Sequence, residues 1–353
     1  MSRRRIHVVY EWGDDLRPHG SAYIRLIRPL SHPAVRGSLD VTFGRYYDGQ
    51  PVDAVIVDRL WLPEMWLGDG AAMARARALV AEAHARGARL IYALDDNLLE
   101  VRGPDAGANP QAQVVDYWLR AADGVIVTTE TLRERLAPLN PRIAVVPNAL
   151  DERLLPGRVR QRPTQDRIVI GYMGTLTHDA DLMLVTAALR EVCARHAGAI
   201  EIQVVGVVGR HDTLEALEDL PVRVVAPLPE EGEYPLFMVW LTHRLDWDIA
   251  VAPLDDTPFN ACKSDLKHLD YAAMGAAGIY SDVPTYAGTV RHGETGWLAP
   301  NDTDAWVEAL ETLIAQPALR HEMARSAADY LYGERVLARS AETLVRAIEG
   351  FLG

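Results

Sequence analysis

Short apolar runs alternate with helix-period stretches along nearly the whole chain, and that alternation limits the fold more than any other feature. Ile6–Tyr10 reads as a strand, the polar, Gly- and Pro-bearing Trp12–Gly20 as a loop, and Ala22–Leu30 as a helical run. Ala54–Val57, Arg89–Leu94, Gly124–Val127 and Ile143–Val146 repeat the strand signal, with helical stretches at Ala71–Arg86, Val114–Ala122 and Thr131–Ala137. Successive strand and helix units of this kind form parallel sheets covered by helices. Residues 1–150 therefore read as one doubly wound, Rossmann-like domain. Residues 151–166, rich in Arg and Pro and without periodicity, read as a linker. A second series follows, with strands at Ile168–Tyr172, Glu201–Val205, Val222–Ala226, Asp248–Ala252 and Gly278–Ser281, and helices at Asp181–His196, Leu236–Leu241 and Thr303–Ala315. The expected fold class is α/β, two doubly wound domains (1–150 and 167–332) facing a central cleft, then a last segment, 333–353, helical over Arg335–Phe351.

The 353 residues are 49% apolar, enough for two cores. A formal charge of -13 argues against a nucleic-acid binder, which would show a basic face. Cys193 and Cys262 make neither a disulfide framework nor a metal cluster, and they fit a reducing cytoplasm. No apolar run approaches the roughly 20 residues of a membrane span. Ser2–Arg5 precedes a strand rather than a signal-peptide core. Peripheral contact at the inner face of a membrane stays open, as does the oligomeric state.

Of the 36 Lys and Arg residues only Lys263 and Lys267 are lysines, and they stand four residues apart. Ser264 and Asp265 form a start signal for a helix over 265–274, closed by Gly275. Two ammonium groups at the start of a helix oppose its dipole, which favours anions there. The pair makes sense if a phosphate or diphosphate binds between them and the N–H groups of the first turn. Asp270, one turn on, faces the same side and is placed for a sugar diol.

Other stretches admit a functional and a plain reading. Gly174 and Thr175, in a strand-loop-helix passage, present backbone N–H groups to a phosphate or form a tight turn. Their glycine spacing is neither a dinucleotide fingerprint nor a P-loop. Asp95 and Asp96 end a strand of the first domain, where they handle an acceptor hydroxyl or serve as turn residues before Asn97. Gly20 and Ser21 begin the first helix and face the same end. Asp255, Asp256 and Asn260 suit sugar hydroxyls or loop structure better than a metal.

Four segments together resemble the retaining GT-B glycosyltransferases of the large fourth family of sugar-nucleotide-dependent enzymes. Val145–Asp151 is similar to the family's Pro-Asn-Gly-Val-Asp closure of the first domain, Ile170–Thr175 to the first strand and loop of its donor domain, Lys263–Gly275 to its signature helix, and Val290–Leu298 to its Gly-Glu-Thr-Gly turn. The Lys-Ser and later Lys pattern resembles a surface-polysaccharide, O-antigen type branch. The resemblance implies a metal-independent transfer of a hexose or deoxyhexose, with configuration retained, to a glycan or lipid-linked glycan. No cofactor beyond the nucleoside diphosphate sugar co-substrate is implied, nor any metal. It makes 1–150 the acceptor domain and 167–332 the donor domain, with the C-terminal helix crossing back to the first. Lys263 and Lys267 become catalytic, neutralising the diphosphate with Gly174, Thr175 and Ser264, while Asp270 holds the ribose. Gly20, Ser21 and Asp96 fall on the acceptor side, and Asp95 stands near the family's usual histidine as a catalytic proton handler. Two departures stand out: Asp270 replaces the second of two family glutamates, and Cys262 replaces the first. An epimerase or hydrolase of the same fold, and a non-catalytic sugar-nucleotide binder, are the alternatives.

Overall fold

The segment Ala54–Asp58, AVIVD, is buried at every position, as a parallel strand must be when helices cover both faces of its sheet. In the computed structural model, which describes residues 3–62, 69–100, 111–157, 167–174, 179–206, 215 and 217–353, this strand lies inside a six-stranded parallel sheet. The strands are β1 (Arg4–Val9), β2 (Leu39–Gly44), β3 (Ala54–Asp58), β4 (Arg89–Ala93), β5 (Gly124–Val127) and β6 (Ile143–Val145), in the order β2-β1-β3-β4-β5-β6. Alternation sends Val55, Val57, Leu90, Tyr92, Val125 and Val127 to one core, and Ala54, Ile56, Ile91, Ala93 and Ile126 to the other.

The helix after β1, here α1, is built of three contiguous pieces: α-helical Gly20–Ala22, π-helical Tyr23–Ile27 and α-helical Arg28–Leu30. It covers the second of these cores together with the C-terminal helix Leu337–Leu352, whose Ala341, Leu344, Val345, Ile348 and Phe351 recur at helical spacing. Gly124 is required there: a Cβ would fall 2.3 Å from the Phe351 ring. The opposite face is covered by α2 (Asp69–Ala85), α3 (Ala112–Ala121) and α4 (Glu130–Leu136).

A second parallel sheet holds β7 (Ile168–Met173), β8 (Ile200–Val205), β9 (Val222–Val225), β10 (Ile249–Ala252), β11 (Ala277–Ser281) and β12 (Trp297–Ala299), in the order β12-β11-β10-β7-β8-β9. Counted from its own first strand this is the 3-2-1-4-5-6 order of dinucleotide-binding folds. Helices α5 (Asp179–Arg195), α6 (Tyr234–Arg244), α7 (Leu266–Met274), α8 (Thr303–Ala315) and α9 (Pro317–Glu334) flank it. Gly171 on β7 serves packing, since a Cβ there would fall 1.8 Å from Trp247.

The chain divides into two compact units: Met1–Asp151 with Cys262–Ser264 and Leu337–Gly353, and Glu152–Ala261 with Asp265–Val336. The expectation was a linker at 151–166 and a last segment, 333–353, returning to the first domain; the grouping of Cys262–Ser264 with the first unit was not part of it. The first half of the lysine stretch belongs to the first unit because Cys262 is buried in its core. The Cys262 carbonyl accepts from Thr129 Oγ1 at 2.9 Å, and Ser264 Oγ accepts from Asn148 Nδ2 at 2.7 Å. Of the expected linker, 158–166 lie outside the described residues, and Glu152–Leu154 form a 3-10 turn.

Among the elements beyond the expectation are two strands and a long helix. β2 is an edge strand carrying Asp40 and Thr42, and β12 has three residues, so neither shows a long apolar run. The buried face of α9 is mainly Ala324, Ala327, Ala328, Met323 and Arg320, which leaves its hydrophobic period faint.

Candidate functional site

In the second unit β7 and β10 are neighbours although two strands intervene in sequence, and the crevice outside their carboxyl ends is where open α/β sheets bind ligands. Gly174 follows β7 and its N–H donates to Val205 O at 3.1 Å; Thr175 lies outside the described residues. Helix α7 is bound to the sheet by Tyr271, whose hydroxyl donates to Val251 O of β10 at 2.9 Å. Lys267 Nζ lies 4.9 Å from the centroid of the Tyr172 ring on β7, a cation–π distance. Gly275 ends α7 in the left-handed conformation, φ 70°.

Asp270 is 6% exposed. Its Oδ1 has no hydrogen-bond partner among the described residues, which is costly for a buried carboxylate. Burial pushes its pKa up to about 7, with the Lys267 charge working against the rise and Asp265 adding to it. An unfolded Asp titrates near 3.8, so this group favours the folded unit most below that pH. Its contribution is lost as pH rises from about 4 through about 7. Asp270→Asn is expected to remove that slope and to raise the melting temperature of the ligand-free protein at pH 8. Parallel slopes in wild type and variant, in melting curves from pH 5 to 8, would contradict this.

The neighbouring side chains are partnered. Arg335 donates from Nη1 to Asp265 Oδ2 and from Nη2 to Asp265 Oδ1, both at 2.8 Å. His268, fully buried, donates from Nε2 to Thr295 O at 3.2 Å and stacks on Tyr330 at 5.6 Å. Burial lowers its pKa, so the imidazole is neutral at pH 7. Thr295 lies in the Gly-Glu-Thr-Gly turn, where Gly293 at φ 76° donates to Gly296 O at 2.8 Å. His268 thus joins that turn to α7. Asn260 Nδ2 donates to Asp255 O at 2.9 Å, and these residues shape the loop after β10.

In the first unit the strand order reverses between β1 and β3, and charged groups gather where these strands and β4 end. Arg59 is at the centre. Its Nε donates to Glu11 Oε2 at 2.8 Å, and its Nη1 pairs with Asp95 Oδ1 and with Asp96 Oδ2, the latter at 3.2 Å. Ser21 Oγ donates to Asp95 Oδ2 at 2.5 Å. Gly20, next to it, faces open space, with no atom within 4 Å of a built Cβ. Arg59 has φ 45°, a conformation few non-glycine residues adopt.

These acids are held in different states. Burial raises the Asp95 carboxyl, but Arg59, the Ser21 hydroxyl and Arg25 outweigh it and leave its pKa below the ordinary value. Burial and the Asp95 charge raise Asp96, against Arg59 and Lys263. Burial, with Glu11 adding, pushes Asp58 up to about 8; its Oδ2 accepts from Glu11 N at 3.1 Å and its Oδ1 has no partner among the described residues. Arg25, in the π segment, donates to Val146 O at 2.7 Å and Asn148 Oδ1 at 2.8 Å. Asn148 thereby connects Arg25 to Ser264. Burial pushes the Cys262 thiol up to about 11, leaving it a neutral core residue.

Residues 167–316 match the family model described as glycosyl transferases group 1. No curated protein matches the chain in sequence. Among solved structures, sucrose-phosphate synthase from Thermosynechococcus elongatus has a TM-score of 0.68 at 14% identity, covering 99% of each chain. Anabaena HepE, solved with UDP and glucose, has a TM-score of 0.66 at 12% identity over 99% of this chain and 100% of its own. A glycosyltransferase from Rickettsia africae has 0.65 at 11% identity, over 100% and 99%. The chain has the GT-B glycosyltransferase fold, two parallel α/β sheets with their helices.

Within this fold the first unit brings together Ser21, Asp95 and Asp96, with Lys263 close enough to act on the Asp96 charge. Ser264 is also in that unit, whereas Gly174, Lys267 and Asp270 are in the second. Glu11, Arg25, Asp58 and Arg59 were missing from the sequence reading. Glu11 and the Asp58–Arg59 pair follow predicted strand ends, so the positional rule that singled out Asp95 would have found them. Arg335 carried no local signal.

Proposed function

We propose that the protein transfers a hexosyl or deoxyhexosyl group from a nucleoside diphosphate sugar to a hydroxyl of a glycan or lipid-linked glycan, with retention and without a metal. The observation that carries this reading is Asp270: a buried carboxylate with an unpartnered oxygen, on the same helix as Lys267, inside the stretch that matches the group 1 glycosyl transferases. A ribose diol is a suitable occupant for such an oxygen. That HepE was solved with UDP and glucose agrees with it.

In this reading Lys263 and Lys267 neutralise the leaving diphosphate, helped by N–H groups at Thr175 and Ser264; the Gly174 N–H expected to join them is given to Val205 O instead. The bond from the anomeric carbon to the diphosphate oxygen breaks, and the acceptor oxygen bonds to that carbon on the same face. The acceptor's proton goes to a carboxylate on the acceptor side, with Gly20 and Ser21 beside it. Asp95 is committed to Arg59 and Ser21, and its lowered pKa makes it a weak base. Asp96 has the raised pKa and, at 28% side-chain exposure, the greater access, so the proton is assigned to it and Asp95 orients. Among the described residues no helix is long and apolar enough to cross a membrane. A cytoplasmic setting, with peripheral contact at the inner membrane face for lipid-linked acceptors, belongs to the same proposal, as does a role in surface-polysaccharide synthesis.

The test is a panel of UDP-, GDP-, ADP- and dTDP-sugars with and without glycan acceptors. One donor is expected to raise the melting temperature and to release its nucleoside diphosphate only when acceptor is present. Donor consumption without acceptor would point to a hydrolase or epimerase, and binding without consumption to a non-catalytic binder.

A further inference from the structure

Asp265 stands at the N-cap of α7, yet its side chain makes no capping hydrogen bond among the described residues. Its φ of -75° and ψ of 27° are not the extended backbone of a capping residue. Both carboxylate oxygens go instead to Arg335, fork to fork. Arg335 Nη1 also donates to Tyr330 OH at 2.7 Å, which fixes the guanidinium. The side chains are 12% exposed for Arg335 and 5% for Asp265, so water screens the pair little.

An aspartate at this position normally uses its carboxylate to satisfy N–H groups of the first turn and places a negative charge on the positive end of the helix. Either effect competes with an incoming anion. That a ligand belongs here is indicated independently by Asp270, one turn along the same helix, 6% exposed and with an Oδ1 that has no partner among the described residues and calls for a hydroxyl donor; the Lys267 charge between the two favours an anionic group on that ligand.

We propose that Arg335 is a positioning residue that holds the Asp265 carboxylate away from the start of α7 and cancels its charge, leaving the positive end of that helix, beside Lys267, to a diphosphate. The inference rests on the glycosyl-transfer reading and adds to it a residue some 70 positions away in sequence that sets diphosphate affinity without touching the ligand. The competing account is that the pair only staples the end of α9 to the start of α7.

The two accounts part when each half of the pair is removed separately. Binding of UDP, GDP, ADP and dTDP to the full chain is measured by calorimetry for wild type, Asp265→Asn, Arg335→Met and the double variant. Arg335→Met, which leaves the carboxylate uncompensated, is expected to weaken the bound nucleoside diphosphate about tenfold or more. Asp265→Asn, which loses the same ion pair but removes the negative charge, is expected to bind as tightly as wild type or more so. The double variant is expected within about threefold of wild type. Equal losses in the two single variants, or no recovery in the double variant, would overturn the proposal in favour of a staple. If Arg335→Met does not fold, Asp265→Asn and the double variant still decide, because a staple predicts that both lose affinity. Wild type binding none of the four nucleoside diphosphates would overturn the transfer reading and this inference with it; tight wild-type binding with symmetrical losses would overturn the role of Arg335 alone.

Discussion

Lys263→Ala and Lys267→Ala are each expected to lower kcat by about 10²–10³-fold while leaving the protein folded. Negative charge accumulates on the diphosphate as the anomeric bond breaks, and preorganised positive groups matter most for charge that is absent in the ground state. The Michaelis constant for the donor should therefore move less than kcat. The fold should survive because neither side chain belongs to a hydrophobic core, and the contact of Lys267 with Tyr172 is worth about 1 kcal/mol. Arginine at either position keeps the charge but spreads it over a planar fork, so partial activity is expected. Lys263→Ala carries a second signature. Lys263 favours the ionised form of Asp96, and without it the acidic limb of the kcat/KM profile, where this base becomes protonated, should move to higher pH. Steady-state kinetics with circular dichroism and melting curves are the measurements, and a kcat within threefold of wild type in both variants would contradict the assignment.

Arg59→Met is expected to destabilise the first unit by ~3–5 kcal/mol, the usual result of removing one partner from a buried ion network. Glu11, Asp95 and Asp96 all pair with this guanidinium, and the Arg59 and Asp95 side chains are 17% and 15% exposed. The strained φ of Arg59 costs on the order of 1–3 kcal/mol and is held in place by these pairs, together with Tyr92 OH donating to Arg59 O at 2.8 Å. Arg59→Met with Asp95→Asn should recover part of the loss, since it removes a charge left without its partner. Scanning calorimetry is the measurement, and a stability within about 1 kcal/mol of wild type would show that the carboxylates have other compensation.

Much of the fold was legible in local pattern. A run such as Ala54–Asp58 is apolar on both faces only because helices cover both, so its composition already reports its place inside a parallel sheet. The helix Leu266–Met274 was equally visible, with Lys267 and Asp270 on neighbouring turns and Gly275 closing it in the left-handed conformation. Edge strand β2 and the alanine-faced α9 escaped notice because their buried faces carry too little apolar contrast. Asp95 was recognised, but its chemical state was not: an aspartate after a strand looks the same whether it meets solvent, Arg59 or a substrate.

What the sequence by itself determined is the order of strands and helices and the residue types at strand ends and helix starts, all of which follow from periods of two and 3.6 residues within short windows. The tertiary structure decided the partners. It seats Cys262–Ser264 on the first unit, pairs Asp265 with Arg335 across 70 positions and Arg59 with Glu11 across 48, and leaves Asp270 Oδ1 without a partner among the described residues. Such pairings depend on which strand ends the sheet order brings side by side, and no window of local sequence contains that order.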